Sequence, residues 1–167
     1  MLTGAKIAST APTRRRRRPI EPPKQIKPKR TGDYLEVMTK AVFQSGMSWQ
    51  IVESKWPGFQ EAFSGFDAET VGGLNPDEVD RLAADKRIIR NRRKIEATVD
   101  NAATMVQLAD EHGTFGRWLK SLGDFEATSK ELRKRFKFLG DFGAYYFLYV
   151  VGEEVPPHDE FRASRKK

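Results

Sequence analysis

The sequence contains no cysteine among its 167 residues and only two histidines. The absence of cysteine excludes disulfide bonds and thiolate metal sites, and it is compatible with a reducing cytoplasm. Two histidines do not provide the four ligands of a structural zinc site, so we expect no bound metal and no cofactor. No apolar run approaches the roughly 20 residues of a membrane-spanning helix, so we expect no membrane partner.

Positive charge is in excess, but the excess is confined to the N-terminal segment. Ten of the 30 basic residues and one of the 23 acidic residues lie in residues 1–32, which leaves 20 basic and 22 acidic residues elsewhere. The segment has few large apolar side chains to bury against the entropy of ordering it. We therefore predict a disordered basic arm over residues 1–32. Such an arm suits DNA, RNA, an acidic protein or a membrane surface equally well.

Helix signals follow one another after the arm, and no alternating strand pattern competes with them. The predicted helix starts are Asp33–Glu36 and Thr128–Glu131, which have the form of capping boxes, and Asn75 and Asn91, which can cap a helix. Residues 144–151 are apolar on all sides, as a central buried helix is. The sequence thus predicts an all-α, irregular helical bundle of about six to eight short helices. We assign it to residues 33–161, followed by a basic tail over residues 162–167.

Three stretches carry a resemblance to known proteins. They are residues 43–49 (Phe-Gln-Ser-Gly-Met-Ser-Trp), residues 87–95 (Arg-Ile-Ile-Arg-Asn-Arg-Arg-Lys-Ile) and residues 135–140 (Arg-Phe-Lys-Phe-Leu-Gly). In their order and separation, over about residues 33–160, the chain resembles the type I 3-methyladenine DNA glycosylases. The resemblance implies an all-α bundle of the helix-hairpin-helix DNA glycosylase type. It also implies a cytoplasmic, nucleoid-associated protein of base excision repair that excises an alkylated purine from damaged duplex DNA.

Residues 44–49 fit the chemistry of base flipping. A base within a duplex must be swung out, stacked on an aromatic face and replaced by a wedge before an enzyme can act on it. Trp49 offers the stacking face, and Gln44 can read the polar edge of the base. Met47, next to Gly46 in a turn, is an apolar side chain of the kind that enters a base step. The alternative is that Trp49 and Met47 are ordinary core residues.

Basic side chains crowd the helix start at Asn91. A helix start presents free N–H groups to an anion, so a phosphate is a natural ligand there. We predict DNA-backbone contacts from Arg90, Asn91, Arg92, Arg93 and Lys94, whereas the alternative is a solvated charged face. The resemblance adds Lys137 and Gly140, which fall where the family's hairpin meets the DNA backbone.

The resemblance fails at the catalytic acid. The glutamate of the family corresponds to Ala41, and the aspartate of the wider superfamily corresponds to Pro156. Asp159 and Glu160 are the remaining candidates, although acids at a helix end are more often solvated surface. The family's zinc site is matched only by His158. Two alternatives therefore stay open: a non-catalytic DNA-binding protein on the same scaffold, and an RNA- or ribosome-associated protein suggested by the arm.

Overall fold

The computed structural model describes residues 22–165, and within this range the chain is helical without any β-strand. The nine helices are α1 (Thr31–Gln44), α2 (Trp49–Ala62), α3 (Ala68–Gly72), α4 (Pro76–Ala83), α5 (Arg92–His112), α6 (Phe115–Lys120), α7 (Phe125–Arg135), α8 (Asp141–Val150) and α9 (His158–Arg165), with a 3₁₀ turn at Ser64–Phe66. The all-α prediction is confirmed, with more helices than the six to eight expected. No helix in this range is both long and apolar enough to cross a membrane.

The core forms around α5, the 21-residue helix that packs against α1, α3, α4 and α6. Helix α1 also contacts α2 and α8, so it lies between these two helices and α5. A column of stacked rings joins α2 to the 3₁₀ turn, with centroid distances of 4.7 Å for Trp56–Phe59 and 5.5 Å for Phe63–Phe66. Offset aromatic contacts of this kind add to the stabilisation from apolar burial.

Two of the four predicted helix starts are correct. The Asn75 side chain accepts a hydrogen bond from the Glu78 amide at 2.8 Å, and Pro76 occupies the first position of α4. The Asn91 side chain accepts from the Lys94 amide at 3.1 Å and begins α5. Both asparagines satisfy an amide that the first helical turn leaves without a partner.

The other two predicted starts are wrong. Helix α1 begins at Thr31, and Asp33 lies in its first turn. Helix α7 begins at Phe125 with Asp124 as its cap, so Thr128 is a buried residue inside the helix. The earlier start of α7 places the Phe125 ring 5.8 Å from the Phe161 ring, and this tertiary contact favours Asp124 over the later capping box.

Residues 22–30 differ from the disordered arm that we expected. They run extended along the end of α8, where the Ile26 amide donates to the Val150 carbonyl at 2.8 Å and the Gln25 side chain donates to the Tyr149 carbonyl at 3.0 Å. The Arg30 guanidinium donates to the Gly65 carbonyl at 2.8 Å. The last carbonyls of a helix lack hydrogen-bond donors within the helix, and residues 22–30 provide donors for two of them. Residues 1–21 lie outside the described residues.

The predicted C-terminal tail is helical up to Arg165. Helix α9 includes residues 162–165, and the Arg165 guanidinium lies 3.3 Å from a Glu126 carboxylate oxygen. The guanidinium also lies 4.3 Å from the centroid of the buried Phe161 ring, a cation–π contact. The domain boundary at residue 161 therefore falls within a helix, and residues 166–167 lie outside the described part of the chain.

Candidate functional site

The segment between α1 and α2 is a tight turn at Gln44–Met47. The Met47 amide donates to the Gln44 carbonyl at 3.0 Å, Ser45 has φ −62° and ψ 117°, and Gly46 has φ +74°. These are the values of a type II turn, whose third residue needs a positive φ. A Cβ atom at Gly46 would meet no atom within 4 Å. Backbone conformation, rather than crowding, therefore favours glycine at this position.

Lys94 holds this turn in place. Its ammonium donates to the carbonyl oxygens of Ser45 at 2.6 Å and Phe43 at 3.2 Å, and the residue is only 5% exposed. The carbonyl end of α1 carries partial negative charge, which suits a cation. Burial lowers the pKa of Lys94 below its usual value. Lys94 is thus a buried structural residue, and our expectation that it contacts DNA phosphate is corrected.

The rest of the basic cluster at the start of α5 divides into two kinds of residue. The Arg92 guanidinium lies 2.5 Å from an Asp80 carboxylate oxygen and 3.7 Å from a Glu96 oxygen, so its charge is already compensated. Arg90 and Arg93 are exposed, and neither forms an ion pair within 4.0 Å among residues 22–165. Contacts of this cluster with DNA remain a prediction, which Arg90 and Arg93 are best placed to fulfil.

Residues 136–140 form the link between α7 and α8. The Lys137 amide donates to the Asn101 side chain at 2.8 Å, and the same side chain donates to the Lys137 carbonyl at 3.2 Å. The next residue, Phe138, has φ +58°, which is uncommon for a non-glycine residue. Gly140 is exposed and precedes α8 as its N-cap, and the Lys137 ammonium is paired with Asp100 at 2.7 Å. Lys137 and Gly140 are both exposed, and their contacts with the DNA backbone remain a prediction.

Two clefts open next to the Gln44–Met47 turn, and Gln44 and Tyr146 line both of them. The first, which we call the hairpin cleft, has a volume of about 430 Å³ between the turn and the α7–α8 link. Its other lining residues include Ala41, Gly46, Phe138, Gly140 and Phe142. The second, which we call the Trp49 cleft, has a volume of about 550 Å³. Its other lining residues include Trp49, Asp33, Glu36, Lys40, Glu53 and the chain at Pro22–Lys24.

Trp49 is 51% exposed at the start of α2, which excludes the alternative that it is a core residue. Its exposed indole forms part of the wall of the Trp49 cleft together with Gln44, the residue expected to read the base edge. Met47 is partly buried and lines neither cleft. Its role as a wedge stays a prediction.

Tyr146, Glu53 and Lys40 are site residues that the sequence did not point to. Burial raises the pKa of Tyr146 to about 12, the Glu53 carboxylate adds to this increase, and a hydrogen bond from Gln44 opposes it. The Lys40 ammonium lies 3.1 Å from one Glu53 oxygen. In the sequence, Tyr146 is one of several apolar and aromatic residues of α8 and has no distinguishing pattern. Only the packing of α8 against α1 brings it to the cleft.

The predicted catalytic acids lie elsewhere. Asp159 and Glu160 are exposed in the first turn of α9 and line neither cleft. Ala41 lines the hairpin cleft without a functional group, and the Pro156 carbonyl accepts a hydrogen bond from the Tyr145 hydroxyl at 2.7 Å. Within residues 22–165, no group of three or more His, Asp or Glu side chains is arranged to hold a metal ion, and His158 lies exposed 5.6 Å from the Tyr145 ring.

A sequence profile described as methyladenine glycosylase matches residues 28–134 of the chain. The chain belongs to the methyladenine glycosylase family. Among curated relatives, DNA-3-methyladenine glycosylase 1 of Escherichia coli (strain K12) is 30% identical over 130 residues, which span 65% of this chain and 70% of the relative. DNA-3-methyladenine glycosylase of Haemophilus influenzae is 27% identical over the same lengths.

Solved structures agree on the fold of this methyladenine glycosylase family member. The 3-methyladenine DNA glycosylase I of Staphylococcus aureus superposes with a TM-score of 0.69 at 24% identity, covering 77% of this chain and 80% of the other. A solution structure of 3-methyladenine DNA glycosylase I superposes with a TM-score of 0.64 at 27% identity over 78% and 79% of the two chains. The profile ends inside α7, so Tyr146 and the α7–α8 link of this family member lie outside the matched residues.

Proposed function

We propose that this protein is a DNA glycosylase of base excision repair, which flips an alkylated purine of the 3-methyladenine type out of damaged duplex DNA and hydrolyses its N-glycosidic bond. The observation that carries the proposal is the exposed indole of Trp49 at a cleft that also presents Gln44, Tyr146 and a carboxylate. The volume of about 550 Å³ is in the range of small-molecule sites. Family membership supports the reaction class.

The cleft suits a cationic purine. An alkylated purine with a positive charge is attracted to the face of an indole, and a base of any kind can stack on it. The Gln44 amide can donate to and accept from the base edge, and the Tyr146 hydroxyl stays protonated at neutral pH because its pKa is about 12. A positively charged base is therefore held by stacking and by neutral polar groups.

Excision of a base that is already cationic requires few catalytic groups from the protein. The bond between C1′ of the sugar and the purine nitrogen breaks, and its electron pair neutralises the leaving base. Water forms the new bond to C1′ and releases one proton, so no acid has to protonate the leaving group. A pocket that stacks and desolvates the base, with a carboxylate near the developing positive charge on the sugar, supplies the remaining stabilisation.

DNA binding in this proposal comes from three parts of the chain. Arg90 and Arg93 offer accessible positive charge at the start of α5, and Gly140 exposes backbone at the start of α8. The arm adds positive charge through residues 14–18, five consecutive arginines. Phosphate contacts of this kind position the duplex without reading its sequence. The protein then acts in the cytoplasm, on the nucleoid.

The test is release of free bases from methylated duplex DNA, with folded protein in excess over sites and the products separated by chromatography. We expect release of 3-methyladenine, with a panel of 7-methylguanine, hypoxanthine and uracil substrates defining the range. A Trp49→Ala variant provides the matched control for the cleft. No release of any of these bases by well-folded protein would overturn the proposal.

A second candidate is a non-catalytic DNA-binding protein on the same scaffold. Ala41 favours it, because the position that corresponds to the family's glutamate carries no carboxylate. This candidate predicts binding to damaged duplex, measured by fluorescence anisotropy, without release of any base from the same DNA. The base-release assay therefore separates the two candidates.

A further inference from the structure

We infer that Glu53 supplies the carboxylate of the excision site and that Lys40 positions it. The inference rests on the proposed glycosylase function and assigns the group that Ala41 lacks. It follows from three observations: which acids reach the Trp49 cleft, how each of them is bonded, and where Glu53 lies relative to Trp49.

Three acidic residues line the Trp49 cleft, and two of them already have structural roles. An Asp33 oxygen accepts from the amide of Lys29 at 2.8 Å and from that of Arg30 at 3.2 Å, which fixes the start of α1. One Glu36 oxygen accepts both from the indole of Trp56 and from the amide of Gln60, each at 2.8 Å. The Asp33 carboxylate thus caps its own helix, and the Glu36 carboxylate joins α1 to α2.

Glu53 is bonded differently. Its two oxygens lie 3.1 and 3.2 Å from the single ammonium of Lys40, and its side chain is 43% exposed. A carboxylate has about four lone-pair directions, so one ammonium leaves acceptor capacity free for a further ligand. Lys40 is itself held, since its side chain is 20% exposed and its ammonium lies 5.0 Å from the centre of the buried Trp56 ring. The ion pair therefore presents a positioned carboxylate to the cleft.

Glu53 lies on the same face of α2 as Trp49, the proposed stacking residue. Trp49 and Glu53 are four residues apart on α2, so both lie on the same face of the helix. Tyr146 and Gln44 approach this face from α8 and the end of α1 and line the same cleft. A purine stacked on Trp49 thus has a carboxylate one helical turn away.

This placement assigns a step to Glu53. The C1′–N bond breaks, its electron pair stays with the cationic purine, and the purine leaves as the neutral base. The Glu53 carboxylate stabilises the positive charge that develops on the sugar and accepts the proton of the water that adds to C1′. The proton then passes to solvent, which restores the carboxylate.

The experiment compares Glu53→Gln with Glu61→Gln in single-turnover release of 3-methyladenine from methylated duplex DNA. Glu61 is a matched control, because it lies on the same helix, is exposed, pairs only with Arg87 at 3.5 Å among the described residues, and lines neither cleft. We expect Glu53→Gln to slow release by about 100-fold or more, as loss of a general base does. Glu61→Gln should match the unmodified protein, and Glu53→Asp should recover part of the rate.

Two further measurements make each outcome decisive. Melting temperatures and damaged-DNA affinity of all variants show whether a slower rate reflects unfolding or lost binding, and the inference requires that neither accounts for the loss. Equal release rates for Glu53→Gln and the unmodified protein would overturn the role of Glu53 and leave the glycosylase proposal standing. No release by the unmodified protein would overturn the glycosylase proposal, and the role of Glu53 with it.

Discussion

The ammonium of Lys94 lies 2.6 Å from the carbonyl oxygen of Ser45 and so connects two distant stretches of the sequence. The sequence predicts DNA contacts from residues 43–49 and from residues 87–95 as two separate elements. Their joint function is structural in part, since the first residues of α5 hold the turn that precedes Trp49. The geometry of the cleft therefore depends on a residue that does not line it.

Replacing Lys94 with methionine should lower the free energy of unfolding by about 1–3 kcal/mol, because the Phe43 and Ser45 carbonyls lose their charged donor. Arg93→Met is the control, since Arg93 is exposed one residue away. Urea unfolding of both variants gives the comparison. Equal stability of the two variants would contradict the structural role of Lys94.

Substitution of the two tryptophans of α2, Trp49 and Trp56, should affect different properties: DNA binding for the first and stability for the second. Trp49→Ala should leave the melting temperature nearly unchanged, because the side chain is 51% exposed, and should weaken binding to damaged duplex by about 1–3 kcal/mol. Trp56→Ala should cost about 3–5 kcal/mol of stability, since Trp56 is 6% exposed. Thermal unfolding and anisotropy titrations measure both. A Trp49→Ala protein that is strongly destabilised, without a loss specific to damaged DNA, would refute the stacking role.

The arginines at the start of α5 should differ in their contribution to DNA affinity. Arg90→Ala and Arg93→Ala should each reduce the slope of log affinity against log salt by about 1, as loss of one phosphate contact does. Arg92→Ala should change the slope less, because Asp80 and Glu96 already compensate its charge. Titrations across a series of salt concentrations, on intact and damaged duplex, provide the measurement. A larger effect from Arg92 than from Arg93 would contradict this division.

Two N-terminal deletions should separate the electrostatic contribution of this segment to DNA binding from its contribution to stability. Deleting residues 1–21 removes six basic residues and one acidic residue, so it should weaken DNA binding and flatten its salt dependence while the melting temperature stays the same. Deleting residues 1–30 should in addition cost roughly 1.5–4.5 kcal/mol of stability from the three hydrogen bonds to the Val150, Tyr149 and Gly65 carbonyls alone, at about 0.5–1.5 kcal/mol each. Equal melting temperatures for the two deletions would show that residues 22–30 contribute no stability.

Tyr146, which is partly buried, makes stability depend on pH in alkaline solution. Its pKa of about 12 exceeds the ordinary value of 10.0, so between these values the native state binds more protons than the unfolded state. Stability is then fully present below about pH 10 and is lost as the pH rises towards 12. Tyr146→Phe should remove this part of the dependence, measured by guanidinium unfolding across the window. Glu53→Gln should lower the pKa of Tyr146, because the carboxylate raises it.

The sequence alone determined the fold class and the family. Apolar periodicity and the caps at Asn75 and Asn91 act within a few residues, so they are visible without the tertiary structure. The exposed turn before Trp49 was also predictable, because Gly46 adopts the positive φ that a type II turn requires. Local conformational preference was sufficient for each of these features.

Tertiary packing alone decided how the site is composed. The burial of Lys94, the ordering of residues 22–30 and the later position of Thr128 within α7 all depend on partners far away in the chain. Glu53 and Tyr146 are 93 positions apart and converge only because α8 and α2 both flank α1. The carboxylate of Glu53 reaches the Trp49 cleft from α2, whereas position 41 lines the hairpin cleft, and only the packing of the helices decides which cleft each position faces.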